Sequence, residues 1–237
     1  MVKRDNGGSS VRSSPDGSQK MSISRTVVVV ENESLLRDLI ARSLENAGFS
    51  VSTAANAADA KRAVKASDPD ICVVDIELGQ GPNGFDFADY LAREAADVGV
   101  VFLTNLPDPR FADRDSKAIN QNQAYLRKSQ LVDSKELVEA VNAVLKEVDV
   151  DKFRHDQNLD RPLANLSRRQ ISVLKMVADG YSNNEIAEAR GTTVRAVEGM
   201  ISRIFHALDL EVQGSRNARV EATKLYLNAA GPVTVEK

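Results

Sequence analysis

Short apolar runs that end at polar residues recur through the first half of the chain, and this pattern limits the fold more than any other feature. The first run, TVVVV, is built mostly of β-branched valines and leads directly into Glu31. A run that is apolar at every position is typical of a strand buried on both faces of a sheet. Segments with helical spacing separate the runs, such as the one that the candidate N-cap Ser34 opens and Gly48 ends. The predicted strands occupy 26–30, a stretch from Phe49, 71–74, 98–103 and 124–127.

Strands that alternate with helices along a chain predict an α/β fold in which the strands are parallel. We therefore expect a five-stranded parallel sheet with helices on both faces. Within such a sheet, the carboxyl ends of the strands lie along one edge, where binding and chemistry usually gather. The residues that end four of the strands should therefore lie near one another.

The composition excludes several classes of protein. No apolar run approaches the roughly 20 residues that a membrane-spanning helix needs. The polar N-terminus has no apolar segment of a secretory signal, so we expect a cytoplasmic protein. A single cysteine, Cys72, excludes a disulfide framework and a cysteine-based zinc site, and two histidines leave little material for a histidine-rich metal centre.

The chain changes character at three points. It begins with a Gly- and Ser-rich segment without hydrophobic period, which predicts disorder and in which Met21 offers an alternative start. A charged, aperiodic segment later separates the alternating pattern from a purely helical one, which predicts a linker between two domains. The predicted parts are a tail (1–24), an α/β domain (25–147), a linker (148–163), an all-α domain (164–228) and a C-terminal tail (229–237).

The polar residues at the strand ends have complementary chemistry. Glu31 and Asp75 bring carboxylates, whose oxygens favour Mg²⁺ among metal ions. Lys128 would balance their charge and hold a phosphoryl oxygen, as would the hydroxyl of Thr104. One acidic residue at a strand end is most often a helix cap or a solvated turn, but four strand ends together indicate phosphorylation of a carboxylate, the nucleophilic route open to Asp.

Four segments of the first domain, VVVVENE, VVDIELGQGPNGF, VVFLTN and YLRKS, resemble the receiver domain of two-component response regulators. The resemblance covers about residues 26–147. It implies a flavodoxin-like (CheY-like) fold in which a sensor histidine kinase donates its phosphoryl group to Asp75.

The same resemblance implies roles for other residues. Glu31 and Asn32 match the acidic pair that holds Mg²⁺, and Glu77 would add its backbone carbonyl. Lys128 matches the phosphate-contacting lysine. Thr104 and Tyr125 match a switch pair, in which the hydroxyl moves to the phosphoryl group and the ring rotates inward. The shape change is then expected on the face formed by the fourth helix, fifth strand and fifth helix.

The first domain also departs from the family pattern. Asn32 stands where the family has an Asp that ligates the metal directly, so Mg²⁺ should bind more weakly. The loop Gly79–Pro82 is longer than usual, and Ser129 stands where many relatives have Pro. The stretch 105–123 is long, polar and only weakly helical.

The second domain contains the block GYSNNEIA within LSRRQISVLKMVADGYSNNEIAEARGTTVRAVEGMISRIFHALDL, which resembles the LuxR-type (NarL/FixJ) helix-turn-helix. The residues themselves support a helix-turn-helix, since Gly180 ends one helix and a capping box, Ser182 with Glu185, opens the next. The resemblance implies four helices, of which the third, Thr193–Leu208, enters the major groove of DNA.

Several residues of this domain are candidates for DNA contact. Arg195 and Arg203 have side chains that reach guanine edges or phosphates, whereas Glu198 puts a negative charge where relatives commonly have Lys. Gly199 lies in mid-helix and should destabilise that helix by about 1 kcal/mol relative to Ala. The full candidate set is Thr193, Arg195, Glu198, Ser202 and Arg203 on the third helix, with Asn183 and Asn184 at the start of the second.

Together these observations predict a response regulator that a histidine kinase phosphorylates on Asp75 and that binds promoter DNA, as a homodimer once activated. The alternative is a regulator that acts through protein–protein contacts, independent of phosphorylation or deficient in DNA binding, as Asn32 and Glu198 would favour. We expect no enzyme, since the sequence has no arrangement of a base with a nucleophilic Ser, Cys or His. The overall charge of −3 combines +2 over 1–24, −7 over 25–159 and +2 over 160–228. The last value is a thin positive margin for a DNA-binding domain.

Overall fold

The computed structural model describes residues 24–115, 117–158, 160, 162–210 and 217–230. The predicted N-terminal tail therefore lies, except for Ser24, outside the described residues, as does most of the predicted C-terminal tail. Within the described ranges, no helix has the length and apolar character needed to cross a membrane.

The first part of the chain forms a five-stranded sheet in which every pairing is parallel and the strand order is β2-β1-β3-β4-β5. The predicted fold is confirmed, because a sheet with this order is doubly wound and has helices on both faces. The strands are β1 (Thr26–Val30), β2 (Ser50–Ala54), β3 (Ile71–Val74), β4 (Gly99–Thr104) and β5 (Ala124–Arg127).

Four helices cover this sheet and bury its two faces separately. Alternate strand residues point to opposite faces, so Val27 and Val29 pack on one side of β1 while Val28 and Val30 pack on the other. The Val27 face lies under α1 and α4, and the Val28 face lies under α2 and α3. The helices are α1 (Ser34–Asn46), α2 (Ala57–Ser67), α3 (Gly84–Glu94) and α4 (Ser134–Lys146).

One predicted cap is wrong. Ser34 is the first residue of α1 rather than its N-cap; the N-cap is Glu33, whose side chain makes no capping hydrogen bond. The backbone N–H of Glu33 instead donates a hydrogen bond of 3.0 Å to Glu31 Oε1. The preceding strand end therefore supplies an acceptor at the start of α1, and the chain passes from β1 into the helix within three residues.

The segment between β4 and β5 forms no α-helix in its described residues, 105–115 and 117–123. Its one helical element is a short 3₁₀ helix, Pro109–Ala112, with Asp108 as N-cap. The described residues of this segment therefore do not form the fourth helix of the expected switch face, because the segment lacks the apolar period that would seat a helix on the sheet. After β5 come a 3₁₀ helix, Lys128–Gln130, and then α4.

The segment predicted as a linker is folded against the edge of the sheet over much of its length. It contains two 3₁₀ helices, Val150–Phe153 and His155–Gln157, and Arg154 between them forms a parallel bridge with Tyr125 of β5. The backbone N–H of Arg127 donates to His155 Nδ1 at 3.1 Å. The charged composition predicted a linker between the domains, but Arg154 and His155 are held by main-chain contacts with β5.

The remaining described residues form four helices around a small core. Capping boxes open two of them, Ser167 with Gln170 at α5 and Ser182 with Glu185 at α6. Thr193 caps α7, whose inward face contributes Val197, Ile201 and Ile204 to the core. The helices are α5 (Arg168–Ala178), α6 (Asn183–Ala189), α7 (Val194–Ala207) and α8 (Ala218–Ala230).

Candidate functional site

Three strand ends of the sheet place charged side chains in contact. Lys128, directly after β5, has its Nζ 2.7 Å from Asp75 Oδ2 after β3 and 2.7 Å from Glu31 Oε2 after β1. Glu31 is 1% exposed and Asp75 is 4% exposed. One buried ammonium thus serves two buried carboxylates, and removing it would leave two uncompensated charges, a situation that typically costs about 3–5 kcal/mol.

This arrangement shifts proton affinities in opposing ways. Burial, reinforced by the negative charge of Asp75, raises the pKa of Glu31 above its ordinary value, although Lys128 opposes the shift. Burial alone would lower the pKa of Lys128, but the carboxylates of Asp75 and Glu31 outweigh it and raise that pKa. The lysine is therefore held in its charged form, and the acidic pair carries more negative charge than Lys128 neutralises.

Glu77 adds a third carboxyl group near this pair. Its side chain is partly open to solvent, yet desolvation by the surrounding atoms raises the pKa of Glu77 to about 7. Asp75 adds to this shift, and Lys128 and Lys175 oppose it. The backbone N–H of Glu77 donates to Asp75 Oδ1 at 3.2 Å, which fixes the loop after β3 relative to Asp75. The side chain of Glu77 borders a cavity that also includes Asn32.

Arg37, from α1, holds the backbone at the end of β1. Its guanidinium donates to the carbonyl of Glu31 at 2.7 Å and to that of Asn32 at 3.3 Å. The sequence pattern gave no role to Arg37, because its contacts are with main-chain carbonyls rather than with a complementary side chain. It fixes the main chain of Asn32, a residue that the sequence predicted as a metal ligand.

Oxygen atoms suited to a divalent cation are present at this edge of the sheet, but they are not arranged as a complete coordination shell. Among the described residues, no group of three His, Cys, Asp or Glu side chains lies in an arrangement that could hold a metal ion. Lys128 occupies the position between Glu31 and Asp75. The excess negative charge of Glu31, Asp75 and Glu77 over Lys128 is the observation that fits a cation.

The two residues of the expected switch pair are both buried. Thr104 is fully buried at the end of β4, and its Oγ1 accepts a 3.4 Å hydrogen bond from the backbone N–H of Leu106. Tyr125 is also fully buried, and its hydroxyl donates to the carbonyl of Leu106 at 2.9 Å. Burial raises the pKa of Tyr125 well above its ordinary value. Its ring therefore already has the inward position.

Two ion pairs near Tyr125 were not found from the sequence. Arg110 is paired with Asp108 at 2.7 Å, and Arg154 with Asp156 at 2.8 Å, with every side chain less than a tenth exposed. Both aspartates contribute to the raised pKa of Tyr125. In the sequence, each ion pair is visible only as two opposite charges spaced two residues apart. Charged residues in polar segments are ordinarily solvated, so this spacing alone does not predict a buried pair.

A second candidate site lies on α7. The five predicted contact residues of this helix are all exposed, whereas its opposite face is buried in the core of the domain. Thr193 Oγ1 accepts a 3.2 Å hydrogen bond from the backbone N–H of Ala196, so its side chain also caps the helix. The exposed residues are Thr193, Arg195, Glu198, Ser202 and Arg203.

The two asparagines that open α6 have different surroundings. Asn184 is exposed, whereas Asn183 Oδ1 accepts a 3.1 Å hydrogen bond from the guanidinium of Arg219. Arg219, from α8, also donates to the carbonyl of Tyr181. Sequence reasoning missed this arginine, which brings a positive charge from the last helix to the start of α6.

Two family models match the chain. Residues 27–142 match the response regulator receiver domain, and residues 164–213 match the bacterial regulatory proteins of the luxR family. The oxygen regulatory protein NreC of Staphylococcus haemolyticus is 26% identical over 176 residues, which are 68% of this chain and 79% of that protein. The transcriptional regulatory protein TdiR of Thauera aromatica is 28% identical over 191 residues, 80% and 82% of the two chains.

A solved structure has the same fold. RcsB from Salmonella enterica serovar Typhimurium, bound to promoter rprA in the presence of the phosphomimetic BeF3⁻, matches with a TM-score of 0.56 and 16% identity, over 85% of this chain and 98% of that chain. At this identity the likeness concerns the fold alone. The two matched domains identify the class of protein: the chain belongs to the two-component response regulators, with a receiver domain and a LuxR-type DNA-binding domain that make it a transcription factor.

Proposed function

We propose that Asp75 is the phosphoacceptor of this response regulator and that a sensor histidine kinase is its phosphodonor. The contact that carries this proposal is the one from Lys128 Nζ to Asp75 Oδ2, since it places a cation beside the oxygen that would bind phosphorus. A carboxylate oxygen of Asp75 attacks the phosphorus and the bond from phosphorus to the histidine nitrogen breaks. The histidine, whose other ring nitrogen already carries a proton, leaves as a neutral imidazole. Lys128 then has a phosphoryl oxygen to hold in place of a carboxylate oxygen.

Mg²⁺ is the cofactor that we propose for this step. Glu31, Asp75, the amide oxygen of Asn32 and the backbone carbonyl of Glu77 would hold it, and when bound it would neutralise charge that develops on the phosphoryl oxygens. Arg37 holds the main chain of Glu31 and Asn32 in place for this purpose. Because Asn32 has no charge, we expect weaker binding of Mg²⁺ than an aspartate would give.

We propose that Thr104 and Leu106 transmit the state of Asp75. The hydroxyl of Thr104 now accepts a hydrogen bond from the backbone N–H of Leu106. On phosphorylation it would move towards the phosphoryl group and break that hydrogen bond. The carbonyl of Leu106 accepts from Tyr125, so the loop after β4 is tied to both switch residues. In this proposal the movement of the loop, rather than rotation of the buried Tyr125 ring, is the structural response.

The second domain is proposed to bind promoter DNA with α7 in the major groove. Arg195 and Arg203 are exposed on one face and are the candidates for guanine or phosphate contacts, while Glu198 repels phosphate from the same face. Asn183 and Asn184 would lie beside the DNA backbone at the start of α6. Two copies of the chain would bind paired half-sites.

We propose the following division of the chain for expression of its parts. The receiver would comprise 25–147, a connecting segment 148–163 and the DNA-binding domain the residues from 164 onward, with a tail at 1–24. The predicted domain end at 228 and tail 229–237 cut α8 too early, because that helix runs to Ala230 and buries Ala229 and Ala230. The receiver match to residue 142 and the luxR-family match from residue 164 support this division.

The phosphorylation proposal is tested with the phosphoryl mimic BeF3⁻ and Mg²⁺. We expect them to increase dimerisation and DNA affinity of the chain, and we expect no response from Asp75→Asn. The matched control is Asp97→Asn, which changes an exposed aspartate in the turn before β4, at the opposite end of the sheet. If Asp75→Asn responded as the unchanged chain does, Asp75 would not be the phosphoacceptor.

A phosphorylation-independent regulator is the second candidate, which the inward ring of Tyr125 and the uncharged Asn32 favour. It predicts equal DNA affinity with and without BeF3⁻ and Mg²⁺. Loss of DNA binding is a separate outcome, because any contact with phosphates makes affinity fall as salt rises. Titrations at several salt concentrations on pooled genomic fragments would therefore distinguish an altered DNA binder from one that has lost binding.

A further inference from the structure

The loop after β4 holds the DNA-binding domain against the receiver. Arg110, 7% exposed, is paired with Asp108 and also donates to the carbonyls of Ala164 and Leu166 at the start of the DNA-binding domain. A buried guanidinium that has both a carboxylate partner and carbonyl acceptors is fixed in orientation. The two domains are thus joined by a directional polar contact.

Further contacts surround Arg110. The rings of Phe111 in the receiver and Tyr226 in α8 stack with their centroids 5.7 Å apart. The guanidinium of Arg168, at the start of α5, donates to the carbonyl of Asp113 at 3.2 Å. Apolar residues of the two domains also form one continuous core cluster. The contact therefore has a buried centre and an exposed polar edge.

This contact places α5 and α8 over the phosphoacceptor side of the sheet. A cavity of about 610 Å³ lies between the domains, with Asn32, Glu77 and Asn83 on the receiver side and Lys175, Met176 and Tyr226 on the other. Asn32 and Glu77 flank the buried carboxylate pair, and the charge of Lys175 reaches Glu77 strongly enough to oppose the rise of its pKa. The space is sufficient for a small molecule but not for a helix of another protein.

The DNA-reading face is not covered in the same way. The exposed residues of α7, among them Arg195 and Arg203, remain accessible while α5 and α8 pack on the receiver. The closed contact thus lies beside the loops that follow β1 and β3, and it leaves α7 open.

We propose that the DNA-binding domain controls which phosphodonors reach Asp75: a small acyl phosphate enters through the interdomain cavity, whereas a phosphohistidine on a protein requires the Arg110 contact to open first. The proposal rests on Asp75 being the phosphoacceptor. With an acyl phosphate, the bond from phosphorus to the acyl oxygen breaks as the bond from phosphorus to Asp75 forms, and the carboxylate leaves through the cavity.

Access to the cavity is measured by thiol labelling of the full chain with Asn32→Cys, because Asn32 is half-buried and borders the cavity. The native Cys72 is fully buried, and burial raises its thiol pKa to about 12, so it contributes little background. N-ethylmaleimide represents a small donor, and a polyethylene glycol maleimide represents a protein. We expect the small reagent to label the introduced thiol readily and the large one to be strongly retarded.

Opening the contact should remove the difference between reagents. In the Asn32→Cys background, Arg110→Ala is expected to raise labelling by the large reagent roughly tenfold, as a shift in the closed population would, and to leave labelling by the small reagent nearly unchanged. Arg168→Ala, at the exposed edge, should act in the same direction with a smaller effect. Arg62→Ala, which removes an exposed arginine of α2, is the matched control.

Each outcome decides the proposal. Equal labelling by both reagents before Arg110 is changed, or an unchanged ratio after Arg110→Ala, would overturn it. Continued protection of Cys72 shows in every variant that the receiver remains folded. Phosphorylation by acetyl phosphate should proceed at similar rates with and without Arg110→Ala; if it accelerates as much as labelling by the large reagent, the cavity does not select by size. Failure of acetyl phosphate to modify Asp75 would contradict the proposed phosphoacceptor and leave the labelling result standing.

Discussion

Gly84 gives the sharpest test of how the fold positions the phosphoacceptor. It is the first residue of α3, and its backbone N–H donates to the carbonyl of Ile76 at 3.0 Å. A Cβ atom added at this position would lie 2.2 Å from the carbonyl oxygen of Asp75 and 2.8 Å from Ile76 Cα. These atoms belong to the main chain and have no rotamer by which to move away, so Gly84→Ala must displace either α3 or the end of β3.

The size of the effect follows from these distances. Relaxing the closest contact even to 3.0 Å requires about 0.8 Å of movement at the carbonyl of Asp75. Overpacking of this kind typically destabilises a protein by about 1–3 kcal/mol. A misplacement near 1 Å can slow a reaction by about 100-fold. We therefore expect Gly84→Ala to lower the free energy of unfolding of the receiver by an amount within that range and to slow phosphorylation of Asp75 by one to two orders of magnitude.

Urea unfolding and acetyl phosphate labelling, followed by intact mass, measure the two effects. Gly199→Ala is the matched control, because an added Cβ there meets only Arg203 Nη1 at 3.7 Å and Gly199 lies inside α7. That change should stabilise the DNA-binding domain by about 0.5–1 kcal/mol. An unchanged unfolding midpoint together with an unchanged phosphorylation rate for Gly84→Ala would refute the idea that α3 fixes the position of Asp75.

Three further predictions concern charge. Asn32→Asp should tighten Mg²⁺ binding roughly tenfold, as measured by calorimetry. The control Asn46→Asp, at the other end of α1, should leave Mg²⁺ affinity unchanged. An equal increase of Mg²⁺ affinity in both variants would show that overall charge is the cause. The pKa of Glu77 is about 7 in the folded chain and about 4.5 in the unfolded chain. Without metal, the free energy of unfolding should therefore fall as pH rises from about 4.5 to 7. Glu77→Gln should flatten that part of a plot of melting temperature against pH. Glu198→Lys should raise DNA affinity and steepen its salt dependence by about one unit of log–log slope, and an unchanged slope would place residue 198 away from phosphate.

The strand ends could be predicted from the sequence, because each is marked locally by an apolar run and the polar residue after it. Parallel pairing then obliges Glu31, Asp75 and Lys128 to meet at one edge. The helix caps of the DNA-binding domain are local as well: Ser182 and Glu185 form their box within four residues. Features that depend on neighbours in sequence were therefore accessible.

The contacts between distant segments were not accessible. Arg154 belongs to a charged, aperiodic stretch that was predicted as a linker, yet it bridges to Tyr125 and pairs with Asp156 while almost fully buried. Arg110 belongs to a stretch that the pattern marked as a weak helix, yet it joins the two domains. A charged side chain is buried only where it has a compensating partner. For both arginines the hydrogen-bond acceptors include backbone carbonyls from distant parts of the chain, which the local sequence does not reveal.

The docking of the connecting segment on β5 has a consequence for how far the domains can separate. His155–Gln157 lies beside β5 and the DNA-binding domain begins at residue 164, so only residues 158–163 separate the two. Six residues reach about 20–22 Å when fully stretched. A DNA-binding domain released from Arg110 would thus stay at an effective concentration on the order of millimolar relative to its docking surface. Even a weak contact would re-form under these conditions, so modest changes in the affinity between the domains are enough to set the balance between closed and open chains.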